Sequence, residues 1–157
     1  MIALVALFGL AACWVQPVPQ APVANQAPPP SSPPPRGATV NKSEWQGTYV
    51  CAQGPTTLHL AIEQRCVASG CEVSAVFEFG PSPQNPTVPH GSYRMRGDLN
   101  ENERGEPILT LHPEAWIEQP SQYMMVGLTA TSDAAQQNLR GRIDNPSCGE
   151  LSLQRVQ

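Results

Sequence analysis

The residues with the clearest chemistry in this chain of 157 residues are its five cysteines. One of them, Cys13, stands alone at the end of an apolar segment, and the other four follow much later, at Cys51, Cys66, Cys71 and Cys148. An odd number of thiols leaves one cysteine without an intramolecular partner. The isolation of Cys13 predicts that it is the odd one and that it has a different chemistry from the other four.

The four later cysteines allow three disulfide pairings. Disulfides are favoured over a zinc site, because none of the spacings is that of a Cys-x₂-Cys ligand pair. Cys66 and Cys71 are close enough in the chain to close a small loop between two neighbouring strands. Cys51 and Cys148 lie beside the first and last predicted strands, which are neighbours if the sheet closes into a barrel. The sequence therefore favours Cys51–Cys148 and Cys66–Cys71, and with them an oxidising compartment.

Cys13 ends the apolar run MIALVALFGLAAC, which is as long as the hydrophobic part of a signal peptide and too short to span a bilayer. The stretch Leu10-Ala11-Ala12-Cys13 resembles the lipobox of bacterial lipoproteins. That resemblance implies a signal peptide over residues 1–12, a lipid on Cys13 and anchoring in the cell envelope. Trp14, where an aspartate signals inner-membrane retention in that family, implies the outer membrane. The alternative is an ordinary signal peptide in which Cys13 has no role.

Residues 13–40 lead from this cysteine to the folded part of the chain. Nine of the 18 prolines lie between Gln16 and Arg36, together with alanine, glutamine and serine. Such a composition cannot form a core and favours extended polyproline II. We interpret the segment as a disordered stalk, with a docking site for a proline-binding module or a tether to the cell wall as the alternative.

From residue 41 to residue 157 the chain alternates apolar and polar residues with a period of two, which is typical of β-strands. Eight strands are predicted, separated by Gly, Pro, Asn and Asp: Trp45–Cys51, Thr57–Glu63, Glu72–Phe79, Ser92–Leu99, Ile108–Leu111, Tyr123–Ala130, Asn138–Ile143 and Glu150–Arg155. The fold class is therefore all-β.

Three glycines lie on the apolar face of these strands, between two bulky residues: Gly47, Gly97 and Gly141. Inward glycines are typical of sheets that curl strongly. They predict an eight-stranded antiparallel meander barrel, with a two-sheet β-sandwich as the alternative. The opening Trp45-x-Gly47-x-Tyr49 also resembles the first strand of avidin- and lipocalin-type barrels, which implies a barrel that binds a small ligand.

Four arginines alternate outward on two predicted strands: Arg94 and Arg96 on the fourth, Arg140 and Arg142 on the seventh. Guanidinium groups in such rows bind phosphate or carboxylate groups, here of lipopolysaccharide or wall polymers. The alternative is that they belong to an ordinary solvated surface.

Trp116 and Tyr123 lie in a long predicted loop, His112–Tyr123. Loops at the mouth of a barrel commonly hold a ligand or a partner, so both side chains are candidate binding residues. The alternative for Trp116 is that its ring plugs one end of the core.

No catalytic motif accompanies these residues. The three histidines lack the spacing of a metal site, and the sequence has neither a nucleophile elbow nor a P-loop. The net charge of −4, without a basic cluster, argues against a nucleic-acid partner. We therefore expect a protein that is not an enzyme and that needs no metal or cofactor.

Tyr49-Val50-Cys51, followed by Gly54 and Thr57-Leu58, resembles the start of the membrane-bound lysozyme inhibitors, which are lipoproteins with small eight-stranded barrels. The resemblance implies a disulfide from the first strand to a late cysteine and inhibition of a lysozyme-type hydrolase. The Ser-Gly-x-x-Tyr motif of that family is absent, since Gly91-Ser92-Tyr93 has the wrong order.

These observations predict an envelope lipoprotein whose barrel is a binding or structural domain. Its expected partners are the membrane, through the lipid, and an envelope protein, a glycan or a small amphiphile. The alternatives are a barrel that binds a small ligand and an inhibitor of a lysozyme-type hydrolase.

Overall fold

The computed structural model describes residues 39–68, 70–103 and 105–156. The predicted signal peptide, Cys13 and the proline-rich residues before Thr39 lie outside the described residues. Within them the chain forms eight strands: β1 (Thr39–Cys51), β2 (Gly54–Val67), β3 (Gly70–Gly80), β4 (Gly91–Glu101), β5 (Pro107–Glu118), β6 (Leu128–Ser132), β7 (Asn138–Ile143) and β8 (Glu150–Arg155). This part of the chain contains no helix that could cross a membrane.

The strands form one closed antiparallel barrel. Each strand pairs with the next along the chain, and β8 pairs with β1 from Trp45↔Arg155 to Tyr49↔Leu151. The predicted eight-stranded meander barrel is confirmed, and the β-sandwich alternative is wrong because the first and last strands join in one sheet. Closure also leaves β1 and β8 without a free sheet edge where they pair.

The barrel has two ends that differ in what they carry. The connections after β1, β3, β5 and β7 lie at one end, which we name the loop end: residues 52–53, 81–90, 119–127 and 144–149. Because strands alternate in direction, the start of β1 at Thr39 and the end of β8 at Arg155 lie at the opposite end. We name this the terminal end.

Side chains fill the interior of the barrel. The most deeply buried apolar residues, with 0–1 % of their surface exposed, come from six strands: Leu60, Val73, Phe77, Tyr93, Met95, Leu111, Leu128, Leu151 and Leu153. A side chain without accessible surface borders no void large enough for water. The central layer of the barrel is therefore a packed core, not a lined cavity.

The three inward glycines are required where strands approach closely. A Cβ atom on any of them would overlap a backbone carbonyl oxygen of the adjacent strand: Ser152 for Gly47, Thr110 for Gly97 and Thr129 for Gly141. Only a residue without a side chain permits these contacts, and all three glycines lie in strands of the closed barrel, as the prediction of a curled sheet requires.

The predicted boundaries of β5 and β6 are wrong. Strand β5 continues to Glu118, so Trp116 lies in a strand and not in a loop, whereas β6 begins only at Leu128. The error in β5 arises from a pair of bulges, where Glu114 and Ile117 have no partner on β4. Each bulge reverses the alternation of sides, so the sequence loses its period of two although the chain stays extended.

Both favoured disulfides are confirmed. Cys51–Cys148 joins the end of β1 to the connection between β7 and β8 at the loop end. Cys66–Cys71 joins directly opposed residues of β2 and β3 near the terminal end. Each end of the barrel thus has one covalent link between its strands.

Candidate functional site

A cleft of about 540 Å³ opens at the loop end of the barrel, and we name it the end cleft. Its lining comes from residues within 49–53, 122–126 and 145–148, with Phe79 and Tyr93 beneath them. None of the residues that line it carries a charged side chain. Three chain segments that are distant in sequence meet here only because the barrel closes.

Aromatic rings form the floor of the end cleft. Phe77 stacks on Tyr93 with ring centroids 4.7 Å apart, and Phe79 stacks on Tyr123 with centroids 5.5 Å apart. Trp116 meets the edge of Tyr93 at 5.2 Å. Trp116 is half-buried and packs against the core, and it does not line the end cleft, whereas Tyr123 does.

Hydrogen bonds hold the connection between β5 and β6 in place. The Tyr93 hydroxyl donates to the carbonyl of Val126 at 2.9 Å and accepts from the Val126 amide at 3.3 Å. Burial raises the pKa of Tyr93 far above its ordinary value of 10.0, so the hydroxyl keeps its proton. The Asp144 amide donates to the carbonyl of Gly127 at 2.8 Å and links this connection to the next one.

The opposite wall of the end cleft is held by β1 and its disulfide. Burial also raises the pKa of Tyr49, which outweighs the hydrogen bond to Thr56 that lowers it. Beside Tyr49, the Gly149 amide donates to the carbonyl of Val50 at 2.7 Å. Together with the Cys51–Cys148 disulfide, this bond fixes the β7–β8 connection against β1.

Gln122 has an unusual backbone. Its φ of 67° lies in the left-handed region that non-glycine residues seldom adopt. Its exposed side chain makes no hydrogen bond with another described residue, and Met124 beside it is 70 % exposed. Gln136 at the terminal end has a similar φ of 52°, so the positive φ alone does not distinguish the end cleft.

The four predicted arginines do not form one site. Arg94 and Arg96 lie on β4, whereas Arg140 and Arg142 lie on β7, with β5 and β6 between the two rows. All four are exposed. Two of them have carboxylate neighbours: Arg96 lies 3.1 Å from Glu114, and Arg142 lies 3.8 Å from Asp144.

The histidines lie on the outside of the barrel or at its loop end. His59 on β2 lies 3.1 Å from a carboxylate oxygen of Glu78 and 3.4 Å from one of Glu44. Within residues 39–68, 70–103 and 105–156, no group of three His, Cys, Asp or Glu side chains is placed to hold a metal ion.

Sequence reasoning identified Tyr123 but missed the other polar residues of the end cleft, which are Gln53, Gln122, Asn145 and Ser147. One feature of the sequence indicates an uncharged surface at this end of the barrel. Across the four connections of the loop end, Asp144 is the only Asp, Glu, Lys or Arg.

The end cleft offers hydrogen-bond donors, acceptors and aromatic surface, and its lining contains no His, Asp, Glu, Lys or Arg. Such a surface is suited to non-covalent binding. Comparison of the chain with protein-family models, with curated proteins and with solved structures finds no match.

Proposed function

We propose that the chain is a bacterial envelope lipoprotein, held to the outer membrane by a lipid on Cys13, and that its barrel is a non-catalytic binding module. The observation that carries the proposal is the position of the end cleft. The cleft lies at the loop end, and the chain enters the barrel at the terminal end, through Thr39. Attachment through Thr39 therefore uses the end of the barrel that does not carry the end cleft.

The proline-rich residues supply the distance between the membrane and the barrel in this proposal. A polyproline II segment extends about 3.1 Å per residue and acts as a semi-rigid spacer. The two disulfides support export, because such bonds persist in oxidising compartments.

The filled interior favours binding at the end over binding inside. Leu60, Phe77 and Leu111 have no exposed surface, so a small ligand would have to displace core side chains to enter the barrel. The end cleft requires no such rearrangement.

A second candidate function is inhibition of a lysozyme-type hydrolase. The observation in its favour is the Cys51–Cys148 disulfide, which links the end of the first strand to a late cysteine as the resemblance to that inhibitor family implies. The purified chain would then inhibit lysis of bacterial cell walls by lysozyme. Unchanged lysis at a large excess of the chain would exclude this function.

Membrane fractionation tests the anchor. The Cys13→Ser variant should move from the membrane fraction to the soluble fraction, because the thiol that accepts the lipid is gone. Ala12→Ser is the matched control: it keeps a small residue before Cys13, so this variant should stay in the membrane. A Cys13→Ser protein that remains in the membrane contradicts the lipoprotein assignment.

A pull-down from envelope extract tests the end cleft. Gln122→Glu places a charge at the cleft without touching the core, and Gln136→Glu makes the same change at the terminal end. Gln136 is matched to Gln122 because its φ of 52° is also positive. A partner retained by the native chain and by Gln136→Glu but lost by Gln122→Glu supports the proposal. A partner retained equally by both variants binds elsewhere and contradicts it.

A further inference from the structure

We propose that the end cleft binds an uncharged oligosaccharide. This inference rests on the proposed function, since it names the ligand of the same cleft. It draws on the charge, the polar groups, the aromatic surface and the size of the cleft.

The charge of the cleft selects an uncharged ligand. No charged side chain lines it, and a charged ligand that gives up its water there would find no ionic partner. Asp144, the one carboxylate in the connections of the loop end, receives a hydrogen bond from the Thr129 hydroxyl at 3.2 Å. Anionic polymers are bound by arginine and lysine, and here the arginine rows lie on the outer faces of β4 and β7.

The polar groups of the cleft match a ligand rich in hydroxyl groups. Gln53, Gln122 and Asn145 present carboxamides, which both donate and accept hydrogen bonds, as sugar hydroxyl groups do. Gln53 Nε2 also donates to the Thr56 hydroxyl at 3.4 Å, and Asn145 Oδ1 accepts from the Ser147 amide at 2.9 Å, so both side chains keep further hydrogen-bonding capacity for a ligand. The Gln122 carboxamide makes no hydrogen bond with another described residue. The Asn145 amide group faces the sulfur of Met124 at 3.8 Å, which is a weak acceptor that a sugar oxygen can replace.

Tyr123 provides the aromatic surface. Its ring stacks on Phe79, so the ring is held in place before any ligand binds. Sugar rings have faces of C–H groups, and the negative face of an aromatic ring attracts such groups. A surface that is already ordered loses little conformational entropy on binding.

The size of the cleft favours a few sugar rings over a protein surface. The cleft is open to solvent on one side, and its volume of about 540 Å³ lies within the range of small-molecule sites. Protein partners usually meet across some 20–30 residues on each side, burying about 800 Å² per partner. An oligosaccharide fits both the polar lining and the concave shape.

An NMR titration tests the inference with two uncharged tetrasaccharides, the tetramer of N-acetylglucosamine and cellotetraose. The protein is the full chain carrying Cys13→Ser, labelled with ¹⁵N. At least one sugar should shift the amide resonances of residues 119–127 and 144–149 at millimolar concentration. Gln122→Glu should weaken binding about tenfold, as expected for a lost hydrogen bond in a cleft that now holds a charge, and Gln136→Glu should leave it unchanged.

The absence of shifts with both sugars, or shifts spread over the whole barrel, would overturn the inference. If no sugar binds but Gln122→Glu abolishes retention of an envelope protein, the proposed function stands and the ligand is a protein. If no sugar binds and the pull-down shows no dependence on Gln122, the proposed function fails as well.

Discussion

Tyr93 is the residue on which the loop end most depends. Its ring is part of the core, stacked on Phe77, while its hydroxyl satisfies both backbone groups of Val126. A single side chain thus connects the packing of the barrel to the position of a nine-residue connection, 119–127. The aromatic floor of the end cleft is placed by the core beneath it.

Tyr93→Phe should destabilise the fold by about 1–2 kcal/mol, because it leaves the amide and the carbonyl of Val126 without their partner. Tyr123→Phe is the matched control, since the Tyr123 hydroxyl makes no hydrogen bond with another described residue. It should change the free energy of unfolding by less than about 0.5 kcal/mol. Urea denaturation measures both, and equal effects of the two variants would contradict this role of the Tyr93 hydroxyl.

Asp133 gives the β6–β7 connection a dependence on pH. Its carboxylate accepts hydrogen bonds from the side-chain amide of Asn138 at 2.6 Å and the backbone amide of Gln137 at 2.8 Å. These bonds lower the pKa of Asp133 below its ordinary value of 3.8. The stabilisation from the carboxylate is therefore present above the unfolded pKa and is lost as the pH falls through the lower, folded pKa.

The carboxyl carbon of Asp133 should titrate in the folded protein with a midpoint below 3.8, as followed by NMR. Asn138→Ala removes the side-chain hydrogen bond that lowers the pKa of Asp133 most, so the midpoint should move up towards the ordinary value. A midpoint of 3.8 or higher in the native chain would contradict the hydrogen bonding described for this connection.

At the scale of elements, the glycines show how strand shape depends on one missing side chain. Gly97→Ala should destabilise the barrel by about 1–3 kcal/mol, because the new Cβ overlaps the backbone of Thr110 and β4 must move. Gly149→Ala is the control, since the atom nearest to its added Cβ is the Val50 oxygen at 3.9 Å. Thermal unfolding should show a large loss for the first variant and little change for the second; similar losses would contradict this account.

The strands that the sequence predicts well are those with an unbroken period of two. In β4, Tyr93, Met95 and Gly97 all face the core, so the alternation in the sequence is the alternation in the structure. In β5 the bulge at Glu114 places Leu111 and Trp116, five positions apart, on the same side, and the bulge at Ile117 shifts the alternation once more. Local alternation cannot reveal such a shift, because the extra residues are defined by their partner strand.

The residues of the end cleft were harder to predict from the sequence than the strands, because the cleft is formed by the whole molecule. Gln53, Gln122 and Asn145 share no motif or spacing, and they meet only because the closed barrel brings their connections to one end. The disulfide was predictable, because Cys51 and Cys148 lie beside the two strands that closure joins. The barrel could therefore be predicted from the sequence, whereas the set of residues that line the end cleft could not.

The two disulfides should differ in their contribution to the stability of the whole domain. Cys51–Cys148 spans 97 residues and Cys66–Cys71 spans 5, so loop-closure entropy assigns about 4–5 kcal/mol to the first and about 2 kcal/mol to the second. Replacing Cys51 and Cys148 with serine should therefore lower the midpoint of guanidinium unfolding more than replacing Cys66 and Cys71. The reverse order would show that loop-closure entropy does not determine which of the two disulfides stabilises the domain more.

The placement of the chain entry and the end cleft at opposite ends has a mechanical consequence. Tension applied between Thr39 and the loop end runs largely along the strands, whereas the hydrogen bonds between antiparallel strands lie across them. Over the thirteen paired positions of β1 and β2, such tension loads the bonds together in shear and does not open them one by one. The Cys51–Cys148 disulfide transmits part of this tension covalently from β1 to the connection between β7 and β8. The barrel should therefore resist tension along its strands better than tension across them.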